Sequence, residues 1–252
     1  MFLFPTTADA TYLVKLSEPA ATSQNTAVIP VPKLENDSYD WVKRHEEVLS
    51  IKAGINPEIV LIGDSITHFW GGEPKANHAN GPKAWDSVFG KSRVLNLGFG
   101  WDRTQNVLWR MDHGELDETK PRLVVINIGT NNTSGTPNAR QNTAAEIAEG
   151  VSAVCSSIQK KVPSAKIVLM AIFPREEKAD DARRKLIGET NQLLAKIAKD
   201  KGIVFLDIGP QLLSSDGTLG RDMMPDFCHP SEKAYQVWAD ALRPFVTNLP
   251  NP

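Results

Sequence analysis

Ile59-Val60-Leu61-Ile62-Gly63-Asp64-Ser65-Ile66-Thr67 carries four consecutive apolar strand-forming residues straight into a small polar turn that holds a serine. A run of this kind, without polar alternation, reads as a strand buried on both faces, and such strands belong to parallel sheets covered by helices. Working outward, similar runs recur at Val94-Leu95-Asn96-Leu97, Leu123-Val124-Val125-Ile126-Asn127-Ile128, Ile167-Val168-Leu169-Met170-Ala171-Ile172 and Ile203-Val204-Phe205-Leu206. Helical patterns lie near 104–113, 139–161 and 180–201, and a last one runs over 231–245 behind Pro230. An amphipathic stretch at 40–49, behind a capping Asn36-Asp37-Ser38 cluster, reads as the first helix. Strands alternating with helices in this way predict a three-layer α/β/α domain with a five-stranded parallel sheet.

The chain of 252 residues suits one domain with an extension. Hydrophobic residues at 41% and charged residues at 23% fit an ordinary globule, neither disordered nor fibrous. A net charge of -2 offers no broad basic field for nucleic acid or anionic lipid. No apolar run approaches the length of a membrane span. Residues 1–35 read as an N-terminal arm or linker, rich in Thr, Ala, Ser and Pro, and 36–252 as the domain. Met1 to Phe4 is too short for the apolar core of a secretory signal, so none is expected here. The compartment, secreted, periplasmic or cytoplasmic, stays open, and so does assembly into a homo-oligomer. Cys155 on a helix and Cys228 in a loop have no reason to meet, and free thiols are expected. Six tryptophans form the one compositional excess.

In an open parallel sheet, ligands bind outside the carboxyl ends of the strands. The loops expected there are Gly63-Asp64-Ser65-Ile66-Thr67, Gly98-Phe99-Gly100-Trp101-Asp102, Gly129-Thr130-Asn131-Asn132, Phe173-Pro174-Arg175 and, after the fifth strand, Asp226-Phe227-Cys228-His229-Pro230. A serine hydroxyl needs a neighbouring base, and the base needs a carboxylate to fix its tautomer. Ser65, His229 and Asp226 supply that set, and the last two stand close enough to share one loop, anchored by Pro230 at the start of the final helix. Taken alone, Ser65 reads as a helix cap, His229 as a loop residue and Asn131-Asn132 as an Asx turn. Their joint placement at strand ends points to acyl transfer. Oxyanion donors would then be the Ser65 N–H, an N–H of the turn at 98–101 and the Asn131 amide.

Competing signatures fail. Gly63-Asp64-Ser65-Ile66-Thr67 lacks the second glycine of G-x-S-x-G, and Gly98-Phe99-Gly100-Trp101-Asp102-Arg103 ends in Arg where a dinucleotide fingerprint needs glycine. No nucleotide cofactor is implied. The histidines show no metal-ligand spacing, so no metal is expected either. Cys228 beside His229 is a poor thiol nucleophile, since adjacent residues point in different directions.

Gly63-Asp64-Ser65-Ile66, Gly129-Thr130-Asn131-Asn132 and Asp226-Phe227-Cys228-His229-Pro230, in this order, resemble the first, third and fifth blocks of the SGNH hydrolases, the GDSL-type lipases and esterases. The resemblance covers about residues 57–246. It implies a flavodoxin-like sheet of strand order 2-1-3-4-5 and a cofactor-free serine esterase with an exposed, shallow site. Gly98 to Leu116, with Val107-Leu108-Trp109-Arg110-Met111, is similar to the α subunits of type-I platelet-activating-factor acetylhydrolase, a subtype shared by bacterial carbohydrate O-acetylesterases. That family has a glycine before the second-block aspartate, and its N–H is an oxyanion donor. Here Trp101 precedes Asp102, and its backbone N–H survives the change.

The alcohol half of the ester is read from the aromatics. Trp41, Trp109 and Trp238 fit core positions, Trp85 stays undecided, and Trp70 and Trp101 are expected at the site, with Asp64, Asp102 and Arg103 as further substrate contacts. Aromatic faces beside hydrogen-bonding groups suit sugar rings, which favours a short-chain O-acetylesterase acting on a carbohydrate ester. A phospholipid-type acetylhydrolase or a general arylesterase is the alternative. A non-catalytic carbohydrate-binding or scaffold protein on the same frame is the alternative of another class.

Overall fold

The computed structural model describes residues 24–249. Strands β1 (Ile59–Gly63), β2 (Val94–Gly98), β3 (Leu123–Asn127), β4 (Lys166–Met170) and β5 (Val204–Leu206) form one parallel sheet of order β2-β1-β3-β4-β5. This is the three-layer flavodoxin-like arrangement expected. The lack of polar alternation has a direct cause. Val60, Ile62, Leu95, Leu97, Val124 and Ile126 pack into one apolar layer, while Ile59, Leu61, Val94, Leu123 and Val125 pack into the other. Successive side chains on a strand point to opposite faces, so a sheet covered twice needs apolar residues at every position.

Helices α1 (Trp41–Ile55), α4 (Thr104–Asp112), α5 (Ala144–Lys161) and α6 (Ala182–Asp200) supply the first cover, through Trp41, Val107, Ile147 and Leu194 among others. Helices α2 (Ser65–His68), α3 (Pro82–Phe89) and α7 (Glu232–Thr247) supply the second, through Ile66, Val88, Tyr235 and Trp238. The helix starts differ from expectation in detail. Asp40, not the 36–38 cluster, caps α1 by accepting the N–H groups of Val42 and Lys43. α5 begins after a Thr143/Glu146 capping box, later than the 139 expected. Ser231 caps α7, so Pro230 precedes the cap. Helix α3 had no counterpart among the expected elements; it is short and lies behind a Gly/Pro-rich stretch, with Pro82 opening it.

Part of the expected N-terminal arm lies outside the described residues. The described part, 24–35, is strapped across α4 and α5: Ala27 is buried, its carbonyl accepts the Thr104 hydroxyl at 2.7 Å, and the Asn106 amide donates to Pro32 O at 2.6 Å. This stretch packs against the domain. Among the described residues no helix is long and apolar enough to cross a membrane.

Sheet register brings the loops together. Gly63 pairs with Gly98 on one side and Asn127 on the other, so the chain segments leaving β1, β2 and β3 emerge side by side. Gly98 has no room for a side chain, since a Cβ there would lie 2.2 Å from the His68 nitrogen. Its bare Cα lets α2 pack directly over the end of β2.

Candidate active site

Ser65 opens the one-turn helix α2 and is nearly buried, while His229 and Asp226 stand on the loop before α7. The Ser65 Oγ lies 2.8 Å from His229 Nε2, and His229 Nδ1 lies 2.6 Å from Asp226 Oδ2. The other carboxylate oxygen, Oδ1, accepts the backbone N–H groups of His229 at 2.7 Å and Cys228 at 3.0 Å. Partial burial pushes the Asp226 carboxyl up, but the bonds from His229 and from the two N–H groups outweigh it and leave its pKa below the usual value. The carboxylate is therefore ionised at neutral pH, and Nδ1 must carry a proton to bond it. That leaves Nε2 as an acceptor for the serine hydroxyl.

The loop itself is held in a tight bend. Phe227 adopts φ 58, in the left-handed region, and its carbonyl accepts the Glu176 N–H at 3.0 Å. The Arg221 guanidinium sits 4.3 Å from the centre of the Phe227 ring. Bonds from both sides fix the approach of His229.

The candidate donors stand in the segments that follow β1, β2 and β3. Asn131 lies in a short 3-10 turn after β3, and one of its amide hydrogens bonds Asp102 O at 2.9 Å. The amide keeps a second N–H. Among the described residues, no acceptor takes the backbone N–H of Ser65 or of Trp101. Ser65 N, Trp101 N and Asn131 Nδ2 each keep an N–H without an acceptor among the described residues. Phe69, His78, Asn80, Pro225 and Pro230 line an open cavity of about 410 Å³ against Asp226 and His229.

Four residues expected at substrate contacts have other work. Trp70 is fully buried, stacked 4.3 Å from Trp238 and edge-on to Trp85, so it belongs to the core. Arg103 is fully buried and donates to the carbonyls of Ser134 and Arg140. Asp64 is fully buried and caps α2 by accepting the Ile66 N–H at 2.9 Å. Asp102 is held by Trp41 Nε1 at 2.7 Å and Arg110 Nε at 2.8 Å. Burial pushes Asp64 up to about 7 and Asp102 up to about 6, the latter against the pull of Arg110 and Trp41. Trp101 alone of the two tryptophans expected at the site is exposed, at 42%. Trp41 and Trp238 are core, Trp109 packs half-buried against Trp41, and Trp85 lies half-buried against Trp70.

Sequence reading missed Tyr39, which bonds the 98–102 loop, and Arg110, which joins Asp102 to Glu115 in a fully buried ion network. Arg110 had a visible signal: a charged residue beside Val107, Leu108 and Met111, on what is otherwise an apolar helix face. Both cysteines are free, Cys155 buried and Cys228 partly so. Burial pushes the Cys228 thiol up to about 12, which leaves it protonated and unsuited to attack. No cluster able to hold a metal ion occurs among the described residues.

Fold and site together define an α/β/α ester hydrolase. Residues 61–237 match the GDSL-like lipase/acylhydrolase family, and the chain belongs to it. It is 30% identical over 220 residues to the platelet-activating factor acetylhydrolase IB subunit alpha1 of Rattus norvegicus, covering 87% of this chain and 88% of that protein. It is also 30% identical over 227 residues to the alpha2 subunit of Mus musculus, covering 89% and 92%. Among solved structures, an acetylxylan esterase from Geobacillus stearothermophilus shares the fold, with a TM-score of 0.60 at 21% identity over 73% of this chain and 92% of that one.

Proposed function

We propose that this acylhydrolase removes short acyl groups, acetyl above all, from carbohydrate hydroxyls through an acyl-enzyme on Ser65. The observation that carries the reading is the continuous chain from Ser65 Oγ through His229 to Asp226. His229 Nε2 takes the hydroxyl proton as Oγ attacks the ester carbonyl, and Asp226 stabilises the imidazolium. The N–H groups of Ser65 and Trp101 and the Asn131 amide hold the oxyanion. The proton on Nε2 passes to the leaving alcohol, and a water deprotonated by the same nitrogen then hydrolyses the acyl-enzyme.

Two features support the substrate class. Proteins similar to this chain include an acetylhydrolase and, by fold, an acetylxylan esterase, and a small acyl half is common to both names. The exposed Trp101 and the cavity bearing Phe69, His78 and Asn80 offer flat apolar faces next to polar groups, which suits a sugar ring. The similarity to platelet-activating factor acetylhydrolase subunits favours a second reading, a phospholipid-type acetylhydrolase. Rates on acetylated xylo-oligosaccharides, on a 2-acetyl ether phospholipid and on p-nitrophenyl acetate, butyrate and octanoate separate them. The proposal expects acetyl over octanoate and the sugar ester over the phospholipid; faster turnover of octanoate defeats the short-acyl reading, and faster turnover of the phospholipid defeats the carbohydrate one.

A further inference from the structure

The peptide joining Gly100 to Trp101 is gripped on its carbonyl side. The Tyr39 hydroxyl donates to Gly100 O at 3.2 Å, and the N–H of that same peptide unit is the Trp101 donor of the proposed oxyanion hole. Neighbouring carbonyls also have donors. Leu97 O accepts from Arg110, Gly98 O from Arg44 and Phe99 O from the Asp102 N–H. Every carbonyl from 97 to 100 thus has a partner, and a rotation of the 100–101 peptide would have to break the Tyr39 bond.

Such a rotation has a driving force in this chain. Trp101 sits at φ 65, a left-handed conformation that a bulky side chain adopts at a cost. Turning the peptide over would relieve that cost and remove the N–H from the site. Tyr39 opposes it, and its ring is fixed in turn by an edge-on contact with His68, 4.7 Å between centroids, at the end of the helix that Ser65 opens.

We infer that Tyr39 is a positioning residue that holds the Gly100–Trp101 peptide with its N–H toward the oxyanion, offsetting the strain that tryptophan brings to this position. The inference rests on the proposed role of the Trp101 N–H. A hydrogen bond to the carbonyl also polarises the amide, making its N–H a stronger donor when charge develops.

The test is a double-mutant cycle of Tyr39→Phe and Trp101→Gly, read as kcat and KM on p-nitrophenyl acetate. Phenylalanine keeps the ring and its contact with His68, and thermal unfolding of each variant checks the fold. Losing one net hydrogen bond predicts that Tyr39→Phe lowers kcat about tenfold, with KM changed by less than about twofold. In the Trp101→Gly background, where glycine takes the left-handed conformation without strain, the same change should lower kcat by less than about threefold. A residue that merely supports the fold would act equally in both backgrounds. Equal falls, no fall, or an effect carried by KM overturns the inference. Ser65→Ala is run alongside: if it keeps normal turnover, the serine mechanism itself fails, whereas an inactive Ser65→Ala with a fully active Tyr39→Phe defeats only the role given to Tyr39.

Discussion

The Asp226 carboxylate holds His229 at two points, its Oδ2 2.6 Å from the ring Nδ1 and its Oδ1 2.7 Å from the backbone nitrogen. One side chain therefore sets both the tautomer of the imidazole and the position of its Cα. The spacing of three residues, with Phe227 in the left-handed region between them, is what lets a single loop close this ring. Asp226→Asn replaces one oxygen with an amide donor that cannot serve both bonds. Its kcat is expected to fall by roughly 10²–10⁴ with a native circular dichroism spectrum. Steady-state kinetics check this, and a loss below tenfold would remove Asp226 from the mechanism.

Trp70 and Trp101 should separate cleanly. Trp70 is enclosed by Trp238, Tyr235, Trp85 and Phe89, so Trp70→Ala leaves a large cavity and is expected to cost about 3–5 kcal/mol in urea unfolding. Trp101→Ala keeps the N–H and buries nothing less, so its unfolding free energy should stay within about 1 kcal/mol. Its effect should appear as a raised KM on acetylated oligosaccharide and not on p-nitrophenyl acetate. An equal rise on both esters would show that the indole does not touch the sugar.

Arg110 holds Asp102 and Glu115 with no exposure on any of the three beyond 2%. Arg110→Met removes the shared cation and leaves Asp102 with only the Trp41 bond and Glu115 with only His45, which is expected to cost about 3–5 kcal/mol. The variant should regain stability as the pH is lowered from 8 to 5, because protonation relieves the under-compensated buried carboxylates. Denaturant midpoints across that range provide the check, and a flat difference from wild type would contradict it.

Asp64 gives a pH signature of its own. Burial raises its pKa in the folded chain to about 7 from the ordinary 3.8, so the folded state binds this proton more tightly than the unfolded state. Its stabilising share is complete below the unfolded value and is lost as the pH rises through about 7. Asp64→Asn cannot ionise, and asparagine keeps an oxygen for the Ile66 N–H. Between pH 5 and pH 8 the variant should gain roughly 2 kcal/mol relative to wild type. No relative gain over that interval would mean that the carboxyl does not titrate in the fold between pH 5 and 8, contrary to its raised pKa.

The sheet was legible because burial on both faces writes itself as unbroken apolar runs, and parallel order followed from their alternation with helices. Ser65 and Asn131 stood out as candidates because each closely follows such a run, and Asp226 and His229 because they lie three residues apart just before the final helix. The substrate contacts were less so. Trp70 and Trp101 both lie in loops after strands, and sequence alone does not say that α2 turns Trp70 inward beneath α7 while a left-handed turn pushes Trp101 out. Asp102 and Arg103 looked like polar loop residues. Their partners, Trp41 and Arg110 for one and the carbonyls of Ser134 and Arg140 for the other, are distant in the chain or on another element. Tyr39 escaped notice for the same reason, since its bond to Gly100 spans 61 positions.

The central claim is that Ser65 becomes acylated. Mass spectrometry of the protein after treatment with an alkyl fluorophosphonate tests it most directly. One phosphonyl adduct per chain is expected, on the peptide carrying Ser65, formed together with loss of esterase activity and absent from Ser65→Ala. An active, folded protein that gains no adduct, or that carries it on another residue, would show that Ser65 is not the nucleophile.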